Sequence, residues 1–136
     1  MAKPSEFVDL LGYIQVLEME SAFPNGGRYC LHSENSQNLQ AMVIYLPPFD
    51  TYPLHKHKAC TEFYFVVKGS MRVIYGAESS SPSKHKKVLL GSTEEADTCF
   101  LQMPPETWHS VQSLADGVTY LEFKPGPWLK GDTEFK

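Results

Sequence analysis

From Arg28 onward, apolar residues never run for long. They come in short groups, at 28–32, 40–46, 53–57, 62–68, 71–75, 87–90, 98–103, 108–113 and 117–124, and proline, glycine or serine breaks separate most of them. Runs of this length, rich in aromatic and β-branched side chains, suit strands and are too short for a helix that must bury a face. Many short strands in series require an all-β sandwich or barrel. The 136 residues suffice for one domain whose core needs no disulfides. Only the start of the chain reads differently. Ser5-Glu6 can cap a helix, and Phe7, Leu10, Leu11, Ile14 and Leu17 recur at helical spacing. This predicts a helix over 5–21, weakened by Gly12 and ended by Phe23-Pro24-Asn25-Gly26-Gly27, so that 1–27 form a helical arm and 28–136 a barrel with a C-terminal tail. The tail from Pro125 to Asp132 is expected to pack along the barrel wall.

Chemistry concentrates in the stretch from Pro53 to Gly69. His55 and His57 are two residues apart, so on a strand both imidazoles leave the same face. Two imidazoles with a carboxylate close behind suit a divalent transition metal. Glu62 lies an odd number of residues from His57, so Lys58-Ala59-Cys60-Thr61 must turn or bulge and deliver it from the next strand. That strand is Phe63 to Val67, with Lys68-Gly69-Ser70-Met71 read as a hairpin turn. A fourth ligand must come from far away, and His109, behind the corner Pro104-Pro105, is the candidate. Trp108 alternates with it and points elsewhere. His85, among lysines in the polar segment 79–87, is read as a solvated side chain.

His-x-His, four residues, Glu, six residues and Gly resemble the first cupin motif, and Pro104 followed by His109 resembles the second. The chain is further similar to the WbuC-type cupin-fold metalloproteins at Arg28-Tyr29-Cys30-Leu31-His32, at Gln40-Ala41-Met42, at Pro53, and at Glu122-Phe123-Lys124-Pro125-Gly126-Pro127-Trp128. The second motif's usual glycine is Glu106 here, and the usual later asparagine is Ser113. The resemblance implies a cupin-type jelly-roll β-barrel, a homodimer, and a sugar or nucleotide-sugar ligand of surface-polysaccharide metabolism.

A site of three neutral imidazoles and one carboxylate leaves a divalent ion with one net positive charge. Iron, manganese or nickel would keep two adjacent positions open, while zinc would be nearly closed. Such a metal serves a small oxygenase or isomerase, or a binding or sensing module without turnover. Other polar residues have two readings each. His32 is either a hydrogen-bonded wall histidine or a substrate contact beside Arg28 on one strand face. Glu122, in an otherwise apolar strand, either neighbours the metal or pairs with Arg28. Tyr64 either points into the pocket with Glu62 or packs in the core. No serine or cysteine has a free partnered base, so no catalytic nucleophile is assigned.

The net charge of −4 argues against nucleic acid and anionic membrane surfaces as partners, since both need clustered positive charge. No apolar run approaches a membrane span. Cys30, Cys60 and Cys99 are odd in number and unpaired by spacing, as in a reduced cytoplasmic protein, with Cys60 a small apolar filler.

Overall fold

The computed structural model describes residues 19–76 and 85–136. The helix expected over 5–21 therefore lies outside the described residues except at its end, where residues 19–22 are helical and Phe23 N–H donates to Met19 O. Most of the polar segment 79–87 lies outside them as well. The eight strands are β1 (Gly27–Cys30), β2 (Leu39–Leu46), β3 (Thr51–His57), β4 (Glu62–Gly76), β5 (Lys86–Gly91), β6 (Phe100–Met103), β7 (Trp108–Pro125) and β8 (Thr133–Phe135).

All pairings between these eight strands are antiparallel. The order β1-β2-β7-β3-β8 makes one wall, and β4, with β5 and β6, curls against β7 to make the other. Two long strands close this curled sheet into a jelly-roll barrel. The first half of β4 pairs with the second half of β7 (Phe63↔Phe123), and its second half with the first (Tyr75↔His109).

The hairpin expected at 68–71 does not form. β4 runs straight through it, with register shifts between Val66 and Lys68 and between Gly69 and Met71. Gly69 has φ +80° and faces Gly117, with φ +70°; a Cβ on Gly69 would collide with the Gly117 carbonyl. The glycine therefore bends a continuous strand around the barrel instead of reversing it. For the same reason the expected strands 108–113 and 117–124 are one strand.

Alternate residues of the strands point inward, as period two requires. Leu46, Tyr64, Val66, Met71, Val73, Leu90, Met103, Val111, Val118 and Tyr120 form the barrel core. On the outer side, Met19 and Phe23 cover Val43 and Tyr45. The tail leaves β7 and returns as β8, which pairs with β3 at His55↔Phe135 and His57↔Thr133. That short strand was absent from the expectation.

Candidate metal centre

β3 sends His55 and His57 inward from one face, because they are two apart. The turn after β3 brings Glu62 in as the first residue of β4, and His55 sits directly opposite His109 at the start of β7. All four are buried, with exposures of 3%, 5%, 0% and 1% for His55, His57, Glu62 and His109. One ligand atom from each lies within 4.8 Å of the other three. The structure thus brings together the residues that the motif spacing singled out. Trp108 points away from them, with Lys56 Nζ 5.2 Å from its ring centroid.

The outer nitrogens explain the orientation. His55 Nδ1–H donates to Pro53 O at 2.8 Å, and His109 Nδ1–H to Thr107 O at 2.9 Å. Carbonyls only accept, so these two rings carry their proton on Nδ1 and offer Nε2 to the centre. His57 Nδ1 faces Thr133 Oγ1 at 3.2 Å and Asp132 Oδ2 at 3.4 Å. Inside, Glu62 Oε1 is 2.7 Å from His57 Nε2 and 3.1 Å from His109 Nε2. The shorter contact lacks hydrogen-bond geometry, so His57 Nε2 is a buried nitrogen without a hydrogen bond. Glu62 Oε2 likewise receives nothing from an N–H among the described residues.

Orphaned buried polar atoms are costly. A divalent cation between these four side chains removes that cost, and the donor set of imidazole and carboxylate is what such ions bind. The residues fit a metal. Burial, then the neighbouring His109, pushes the His55 imidazole down to about 4, which keeps it neutral as a ligand must be. Burial alone would raise Glu62, but its polar neighbours, Glu122 first and then His109 and His57, hold it well below the usual carboxylate range. Glu122 shifts the other way: burial, then the Glu62 charge, raise it well above that range. Two carboxyls side by side are thus one charged and one protonated.

A cavity of about 520 Å³ opens onto His55 and His57. Arg28, Tyr64 and Glu122 line it, together with Tyr52, Tyr120 and Lys124, which the sequence reading did not single out. Tyr120 and Lys124 alternate with Glu122 along β7, so the period-two rule applied outward from Glu122 would have found them. His32 is not in the lining. Ala41 N–H donates to its Nδ1 at 3.1 Å, and Ala41 O lies 3.0 Å from the same nitrogen. Arg28 forms no ion pair with Glu122 and stands exposed at the mouth. Cys60, read as filler, donates its thiol hydrogen to Asp132 Oδ2 at 3.2 Å, and burial followed by that bond pushes it up to about 12. His85 is outside the cluster.

No family model matches the chain, and no curated protein matches it by sequence. Solved structures do match its fold. Oxalate decarboxylase from Bacillus subtilis superposes with a TM-score of 0.62 at 21% identity over 81% of this chain and 27% of its own. DMSP lyase DddQ from Ruegeria pomeroyi gives 0.62 at 22% over 82% and 52%. KdgF from Halomonas sp. gives 0.59 at 17% over 78% and 83%. The chain spans about a quarter of the length of the oxalate decarboxylases it matches. These are cupin-fold proteins, and at such identities the likeness establishes the cupin fold. Among the described residues no helix is long and apolar enough to cross a membrane.

Proposed function

We propose, taking the cupin barrel as the premise, that this chain is a small metalloenzyme of the WbuC type, an oxygenase or isomerase. In this reading it holds one divalent iron, manganese, nickel or zinc ion on His55, His57, Glu62 and His109. Its substrate is a small, oxygen-rich anion, a sugar or nucleotide-sugar carrying an acid group. The observation that carries the reading is the buried His57 Nε2, turned toward Glu62 and His109 with no hydrogen bond of its own. Two fold neighbours are a decarboxylase and a lyase, which agrees with an enzyme on this scaffold.

When bound, the metal supplies a Lewis-acid or redox centre for chelating oxygens. The chain's own residues do the rest. Arg28 and Lys124 line the cavity and make no ion pair with a described residue, so both cations are available to an anion. Tyr52 and Tyr120 give flat walls for a ring. Glu122 holds a proton beside Glu62 and faces the same cavity, placing an acid next to the ligand. That acid supports the enzyme reading over a metal-dependent binding or sensing module. His32, tied to Ala41, is assigned to the wall.

The test is selectivity. The metal-loaded protein should bind a hexuronate at least about 10-fold tighter than the matching neutral hexose, the scale of one charge-assisted hydrogen-bonded pair. Arg28→Met should remove that preference and leave metal content unchanged. A preference that survives the substitution sinks the role given to Arg28.

Assembly and compartment belong to the same proposal. Phe63, Phe65 and Phe123 face outward from β4 and β7, beside Phe100, and Phe65 and Phe100 are 40% and 46% exposed. Covering this face in a homodimer is the expected outcome, and light scattering that finds a monomer at micromolar concentration contradicts it. The three free thiols fit a reducing, cytoplasmic compartment.

A further inference from the structure

We infer that Asp132, in the C-terminal tail, is a positioning residue that fixes which nitrogen of His57 carries the proton and so sets the metal affinity of the site. The inference rests on the metal reading above and concerns a residue that lies outside the cupin motifs.

Asp132 is held from several sides. Its Oδ1 accepts from Ala59 N–H at 2.8 Å, its Oδ2 from the Cys60 thiol at 3.2 Å, and its carbonyl from Lys58 N–H at 2.9 Å. These three donors make up the loop that follows His57. The pairing His57↔Thr133 brings the carboxylate against the ring, with Oδ2 3.4 Å from Nδ1.

The consequence follows from donor and acceptor inventories. His55 and His109 have backbone carbonyls at Nδ1, which fix their tautomer regardless of sequence. His57 has side chains there instead. The Thr133 hydroxyl can donate or accept, so it fixes nothing by itself. The Asp132 carboxylate only accepts, and it therefore draws the proton to Nδ1 and frees Nε2 for the metal. Outer partners of this kind change metal affinity by roughly 10–100-fold.

Two substitutions separate this role from simple packing. In Asp132→Asn the amide oxygen can still accept from Ala59 N–H, which leaves an NH₂ group facing His57. An NH₂ group only donates, so Nδ1 must accept and the proton moves to Nε2, where the metal belongs. In Asp132→Ala neither tautomer is imposed. Tautomer control thus makes Asn the worse substitution. A packing role makes Ala the worse one, because Ala removes every bond that Asn retains in part.

Zn(II) affinity of the full chain is measured by competition with a chromophoric chelator, and melting temperature is measured on the chelated protein. Asp132→Asn should weaken Zn(II) by at least about 10-fold, Asp132→Ala by less, and the chelated Asn variant should melt near wild type. An Ala variant as weak as or weaker than the Asn variant overturns the inference, as does an Asn variant within twofold of wild type. If the Asn variant does not fold, the Ala variant decides through rescue. A cavity of about 250 Å³ beside Cys60, Trp128 and Asp132 admits acetate to the vacated position. Millimolar acetate should then tighten Zn(II) binding of Asp132→Ala and leave wild type unchanged, and absence of rescue counts against the carboxylate.

Discussion

Changing His55 and His57 together to alanine should abolish stoichiometric metal binding. The wild-type chain should carry about one equivalent of divalent metal, and the double variant none that survives gel filtration. Two of the four convergent donors vanish, leaving Glu62 and His109, and two protein ligands do not make a dedicated site for these ions. The loss should far exceed the roughly 10–100-fold expected when only an outer partner is removed. His85→Ala is the control, since His85 belongs to no ligand cluster among the described residues. Elemental analysis of the purified variants checks this. Metal retained by the double variant, or lost from the His85 variant, would place the site elsewhere.

Protonation of His55 should weaken the metal-free protein well above the pH at which ordinary carboxylates protonate. Unfolded His55 takes up its proton near 6.5, whereas in the folded chain burial and His109 delay this until about 4. Between those values the unfolded state binds more protons, so stability falls as pH falls. The difference between 6.5 and about 4 corresponds to roughly 3 kcal/mol, a large share of a small domain's total. Glu62 acts in the same direction further down. Its folded value is depressed, so its contribution is present above 4.5 and is lost below that. Glu122, whose folded value is raised, opposes this trend, so substitution separates the two: urea midpoints of the chelated protein from pH 7 to pH 4 should fall more steeply in the wild type than in His55→Asn. Equal pH dependence in the two proteins would mean that His55 is not held neutral by the fold.

Much of this was legible in the sequence because it rests on local periodicity. The spacing of His55 and His57 fixes a shared strand face, and the odd offset of Glu62 requires a second strand. Both statements need nothing from the rest of the chain. Gly69 shows where such reasoning ends. A glycine between two apolar runs signals a reversal or a bend equally well, and only the partner, here Gly117 on β7, decides for the bend. Asp132 shows the other limit. β8 has three residues, too few to display a period, and its role depends on docking beside His57, more than 70 positions away. His32 looked like a neighbour of Arg28 on one face, yet β1 stops at Cys30 and the imidazole turns to Ala41. Lys124 gives no local signal, because a lysine near a strand end is ordinarily a solvated side chain.

The central claim is that His55, His57, Glu62 and His109 hold one metal. It is tested most directly by a crystal of metal-loaded protein measured at the absorption edge of the ion identified by elemental analysis. The account predicts one anomalous peak per chain inside the barrel, roughly 2.0–2.2 Å from three Nε2 atoms and a Glu62 oxygen. A peak instead among His57 Nδ1, Cys60 and Asp132, or none between the four side chains at full loading, would contradict it.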